Sequence, residues 1–140
     1  MSYVLEEYDG FGQLLASIDN RIRDLQQKYN ALSQRQQALS AQAERIKRLE
    51  EALSKLVGSE IKSIREIDFM GLKVVVGARL VDELAVTEEV LTSVSDTLMA
   101  LQKVRDVIDQ LAKSVGESSG IKILVEVING IPVRLLLRET

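Results

Sequence analysis

The chain has 140 residues, a formal net charge of −3, and neither cysteine nor histidine. Disulfides, thiolate metal sites, Cys nucleophiles and His bases are therefore excluded, and the net charge offers no global attraction to nucleic acid or an anionic membrane. Hydrophobic residues make up 46% and aromatic ones 4%, so a core must rest on Leu, Ile and Val, and the length suits one body plus an extended arm.

The first ten residues, MSYVLEEYDG, carry acids where a secretory signal requires a basic and then an apolar stretch. No apolar run approaches the ~18 residues of a membrane span, so a cytoplasmic chain with no membrane partner is expected. Gly10 and Gly12 weaken helix, each by ~1 kcal/mol relative to Ala, and Asp9 is a candidate N-cap. Residues 1–10 are thus expected to be a frayed tail or a separate helical turn.

From Phe11 to Val57 the sequence carries a heptad repeat. Leu15, Ile18, Ile22, Leu25, Tyr29, Leu32, Gln36, Leu39, Ala43, Ile46, Glu50 and Leu53 follow Phe11 in steps of four and three. A 3.5-residue repeat keeps one narrow seam facing a partner helix, the signature of a coiled coil. Neither Pro nor Gly lies between Gln13 and Val57, so one helix of ~68 Å can form. The expectation is an oligomer interface made by Leu15, Ile18, Ile22, Leu25, Tyr29, Leu32, Gln36, Leu39 and Ile46. Gln36 is either a buried, register-setting polar residue or a partly solvated one. Beyond Ile46 the spacing also reads Leu49, Leu53, Leu56, a stammer that turns the stripe.

Val57-Gly58 marks a helix end. Met70-Gly71 then sits where a two-residue turn joins two strands. Pairing outward from it sets Phe69 opposite Leu72, Asp68 opposite Lys73, Ile67 opposite Val74 and Ile61 opposite Leu80. A second helix follows, capped by Asp82 or by Thr87. Its apolar stripe, from Val90 and Leu91 through Leu98, Leu101, Val104 and Ile108 to Val115, is wide enough to lie on a sheet. Gly116 ends it. The final segment turns at Asn129-Gly130 between alternating apolar residues. With Gly130 at the bulge of a three-residue loop, Val127 faces Ile131, Val125 faces Val133, Ile123 faces Leu135 and Ile121 faces Leu137. Pro132 must sit where the ladder needs no N–H.

A short repeat links the halves: LSKLVG before Ile61-Lys62, and LAKSVG before Ile121-Lys122. Both halves read as helix, strand, strand. The fold class expected is α+β: a long N-terminal coiled-coil helix leading into a small two-layer αββαββ body, a permuted ferredoxin-like arrangement with a four-stranded antiparallel sheet. The boundary is expected between a tail and arm, 1–45, and a body, 46–140. The layout resembles the alignment proteins of type IV pilus and type II secretion machines, which carry a transmembrane helix before the coiled coil. It is also similar to prefoldin, whose helical arms extend from β-hairpins placed between the two helices.

No phosphate-cradling or nucleophile motif occurs. The paired carboxylates (Glu6/Glu7, Glu50/Glu51, Glu88/Glu89) are adjacent, and neighbours on a helix diverge by about 100°. No enzyme activity, metal or cofactor is expected. On the sheet face away from the helices, Ile64, Val75, Leu124 and Leu136 stand among charges, with Arg79 and Arg134, as a partner surface. The leading functional expectation is a non-enzymatic interaction protein, a scaffold or adaptor that associates with itself and with another protein. One alternative is a prefoldin-like chaperone with Tyr3, Val4, Tyr8 and Phe11 exposed at an arm tip. The other is a nucleic-acid-associated protein using a mildly basic sheet face of Lys62, Lys73, Arg79, Lys122, Arg134 and Arg138, which lacks the stacking aromatics of RNA readers.

Overall fold

The computed structural model describes residues 2–57, 66–75, 78–116 and 120–139, with the backbone alone at residues 57, 66–67, 73–75 and 78–79. The elements run β1 (Tyr3–Tyr8), α1 (Phe11–Val57), β2 (Glu66–Phe69), β3 (Leu72–Val75), α2 (Ala78–Val115), β4 (Ile121–Ile128) and β5 (Ile131–Glu139). The class is α+β. Contacts divide the chain into one unit of Met1–Tyr29 with Thr92–Thr140 and another of Asn30–Leu91. Both units draw on both helices, whereas the sequence reading placed its boundary at residues 45 and 46.

The first unit holds a three-stranded antiparallel sheet of order β1-β4-β5. Its third strand is the segment expected to fray. YVLEEY alternates Val4, Glu6, Tyr8 with Tyr3, Leu5, Glu7, a period of two that suits a pleated edge. It lies along β4 with Val4 opposite Val127, Glu6 opposite Val125 and Tyr8 opposite Ile123. Gly10, at φ 117, turns the chain into α1. Its carbonyl accepts from the Leu14 N–H at 3.3 Å, and Gln13 Oε1 accepts from the Asp9 N–H at 3.0 Å. Gly10 rather than Asp9 therefore occupies the cap, and Gln13 satisfies the donor just outside it.

The core of this unit is Leu14 and Ile18 of α1, Ile108 of α2, and Ile123, Val125 and Val127 of β4. Tyr8, Phe11, Leu15, Ile22, Val104, Ile121 and Leu135 pack around it. The stripe on α1 is thus the broad 3.6-residue face of Phe11, Leu14, Ile18 and Ile22, turned onto a sheet, and not only the narrow seam. Leu14, outside the seam, is 1% exposed.

Asn129 and Gly130 both take positive φ, 52° and 82°, the pattern of a two-residue turn matched to strand twist. Ile128 consequently pairs with Ile131 and Val127 with Pro132; a bulge follows, after which Val125 faces Leu135 and Ile123 faces Leu137. This corrects the expected three-residue loop and its register. Asn129 accepts φ > 0 readily, and its side chain holds that position. The Ser2 N–H donates to Asn129 Oδ1 at 3.0 Å, and the Asn129 N–H donates to the Ser2 carbonyl at 2.9 Å.

The second unit contains the β2–β3 hairpin, a two-stranded sheet of its own. Phe69 faces Leu72, Asp68 faces Lys73 and Ile67 faces Val74, as expected. Met70 and Gly71, at φ 52° and 84°, make the turn. The strand stops at Val75, and α2 starts at Ala78, so Leu80 is helical and does not pair with Ile61, which lies outside the described residues. Neither Asp82 nor Thr87 caps α2. Thr87 is buried within it and its hydroxyl donates back to the Glu83 carbonyl at 2.7 Å. No Gly or Pro occurs between Ala78 and Gly116, so nothing breaks the helix at either position. Among the described residues of this unit, Leu39 and Leu91 are the buried apolar ones. Gly116, at φ 78, closes α2 with its N–H on the Ala112 carbonyl at 2.9 Å.

The helix–strand–strand order occurs twice, after β1. The described strands nevertheless form a three-stranded and a two-stranded sheet, not the single four-stranded, ferredoxin-like sheet expected. β1 takes one flank of β4 and β5 takes the other, so both sides of β4 are filled without β2 or β3.

Candidate interaction surface

The two faces of the first sheet differ in chemistry. On the inner face, Ile123, Val125 and Val127 meet the helices. At its β1 margin a polar cluster ties strand to helix. Arg21 forms a short ion pair with Glu6, and the Tyr8 hydroxyl donates to Glu6 at 3.0 Å and shares a 2.9 Å bond with Ser17 Oγ. Glu6 falls on the inner face because of strand alternation, and the cluster answers its charge. All four side chains are engaged with one another, so the cluster reads as a clasp between β1 and α1. Deeper along α1, Arg105 Nε donates to Asp19 Oδ1 at 2.9 Å. The hydrogen bond to Asp19 and then its charge raise the Arg105 pKa above the ordinary guanidinium value.

The outer face is mixed. Glu7 receives Lys122 at 3.4 Å and Arg138 at 3.5 Å, so two of the cations of the expected basic face are paired. On the same face stand Tyr3 and Leu5, each 65% exposed, and Leu136, 52% exposed. Leu124 and Ile128 are half-buried between them. Of the expected partner surface, the structure brings together Leu124, Arg134 and Leu136. Val75 lies on β3 and Arg79 in α2, both in the second unit; Ile64 lies outside the described residues. Leu5 was missed, and Tyr3 was expected at an arm tip and not on a sheet, because β1 was not recognised as a strand. The signal was the two-residue alternation of YVLEEY.

The expected oligomer seam is distributed unevenly. Ile18 is 0% exposed within the single chain. Leu15 and Ile22 pack against the same core. Leu25, Leu32, Gln36 and Ile46 are half-buried, Leu39 is buried and Tyr29 is exposed. Gln36 Nε2 donates to Glu88 Oε1 at 3.5 Å, and Arg35 approaches Glu83 at 4.0 Å. Both link α1 to α2 within the second unit. There a cleft of about 390 Å³ is lined by Leu32, Arg35, Asp82, Glu83, Val86, Thr87 and Val90. Its charged pair is mutually engaged and its hydroxyl is bonded to backbone, so it presents no nucleophile–base couple. Among the described residues no group of three acidic side chains is arranged to hold a metal ion.

No described helix is long and apolar enough to cross a membrane. Comparisons of the chain with protein-family models, with curated proteins and with solved structures find no match, and its function is therefore read from its own surfaces.

Proposed function

We propose that the protein is a non-enzymatic interaction protein, a scaffold or adaptor, that associates with a second copy through the outer face of its three-stranded sheet. One observation carries this reading. An antiparallel sheet covered on one side ordinarily turns polar side chains to water on the other. Here Tyr3, Leu5 and Leu136 occupy that side more than half exposed, beside charges of both signs, Glu7 with Lys122 and Arg138. An apolar patch rimmed by charge is the pattern of a protein contact. Ile18 is fully buried within the single chain, which favours the sheet over the N-terminal part of the helical seam as the contact.

Light scattering coupled to gel filtration tests it. Wild type is expected to elute as a dimer of the 15.6 kDa chain. Tyr3→Lys/Leu5→Lys is expected to elute as a monomer with an unchanged circular dichroism spectrum, because Leu5 sits opposite Glu126 and lysine there gains a cross-strand partner. Wild type that is monomeric at high micromolar concentration, or a variant that remains dimeric, overturns the proposal.

A further inference from the structure

The other side of the same unit offers a differently built surface. β5 is an edge strand, paired with β4 and with no other described strand. The outward backbone groups of such a strand are a template for a further one. Beside it, Val104, Val107 and Ile108 of α2 and Pro132, Val133 and Leu135 of β5 line a groove of about 280 Å³. Val107 and Val133 are 58% and 54% exposed, so the apolar lining is open to water. Val133, Arg134 and Leu135 all border it. The bulge at Glu126/Val127 sets the extra residue, Val133, between Pro132 and Arg134, and Arg134 stands opposite Glu126 on the edge strand.

Two cations flank the groove, Lys103 from α2 and Arg134 from β5. Neither is in an ion pair with a described residue, unlike Lys122 and Arg138 on the outer face. Of the neighbouring acids, Asp106 approaches Arg105 at 4.0 Å, and Glu126 lies directly opposite Arg134 in the ladder without forming an ion pair with it. The chain as a whole is acidic, at −3, so this is a local basic site. For a second copy, antiparallel self-pairing centred on Leu136 sets Arg134 opposite the other copy's Arg138, and like charges opposite one another disfavour that register.

We propose that the edge of β5 takes an extended acidic segment of a partner protein as a fourth strand. Apolar side chains of that segment enter the groove beside Val107 and Leu135, and its carboxylates meet Lys103 and Arg134. Pro132, which has no N–H, limits the new ladder at one end.

The test uses the full chain and a fluorescein-labelled peptide alternating valine with glutamate, about eight residues long to match one strand. Anisotropy should rise saturably, and the affinity should fall as salt is added. A peptide alternating valine with lysine should not bind. Lys103→Glu/Arg134→Glu should weaken binding by roughly tenfold or more, as should Val107→Glu, which fills the groove with charge; circular dichroism verifies that these exposed sites leave the fold intact. The monomeric Tyr3→Lys/Leu5→Lys chain should bind as wild type does, which separates this inference from self-association. It is overturned if the glutamate peptide does not bind, if the lysine peptide binds equally, or if charge reversal has no effect. Loss of the dimer in Val107→Glu would place a second copy at this edge and overturn it equally.

Discussion

Replacing Ile18 by alanine separates the two roles that its position in the heptad allows. Ile18 is 0% exposed and belongs to a cluster with Leu14, Ile108, Ile123, Val125 and Val127. The wall formed by β4 cannot close on the void, because β4 is held on both sides by antiparallel ladders. The cost should therefore fall within the ~2–5 kcal/mol of buried large-to-small changes. At about 4 °C per kcal/mol for a domain of this size, the melting temperature should drop by roughly 8–20 °C. Melts followed by circular dichroism at about 5 and 200 µM chain decide whether the contact is internal. An internal core gives the same drop at both concentrations, whereas an intermolecular seam gives a drop that shrinks as mass action restores the partner. Leu14 and Leu15 supply the internal comparison. Leu14 lies off the heptad and is buried, whereas Leu15 lies on it and is half-buried. Leu14→Ala should cost more than Leu15→Ala. A concentration-dependent drop at Ile18, or the reverse ranking of the two leucines, would refute the reasoning.

Asn129→Ala should destabilise by about 1–2 kcal/mol, since it strains the positive-φ turn and removes the acceptor for Ser2; Asn129→Gly should cost less, and amide exchange in β1 should report both. Arg21→Met leaves the half-buried Glu6 carboxylate without its cation and should loosen β1 by about 1 kcal/mol, read as faster exchange from Leu5 to Tyr8 with the β4–β5 amides unchanged. Arg105→Met should lower the melting temperature equally at about pH 6 and about pH 9. The sign follows from linkage: a raised folded-state pKa gives stability that is fully present below the unfolded value and is lost only in strong alkali.

The local elements were legible in the chain, and their assembly was not. The α1 helix, the Met70-Gly71 turn and its register, and the stop at Gly116 each follow from short-range chemistry: helix formers without a breaker, and glycines at positive φ. The alternation of Ile123, Val125 and Val127 correctly marked one buried face. The three-residue loop at Asn129 was misread because the sequence does not show that Ser2 would hold that side chain. β1 was missed because two glycines beside it were weighed as helix breakers, while the strand's main support, the ladder with β4, is non-local across more than a hundred residues. The same omission hid the outer sheet face, since Tyr3 and Leu5 belong to it only once β1 is in place. Leu14 escaped because a strict heptad was taken as the whole stripe, although a helix on a sheet buries a wider one. The β5 groove depends on a bulge and on helix–strand proximity, neither of which has a signature in composition or spacing.

Cysteine cross-linking tests the central claim most directly, because the native chain has no cysteine to compete. Leu136→Cys places a thiol on the outer sheet face, Tyr29→Cys on the heptad seam, and Met99→Cys at an exposed control position on α2. Under mild oxidation of dilute protein, Leu136→Cys should form a disulfide-linked dimer rapidly, while the other two remain largely monomeric on a non-reducing gel. Rapid cross-linking of Tyr29→Cys with none at Leu136→Cys would contradict the account and return the interface to the helix.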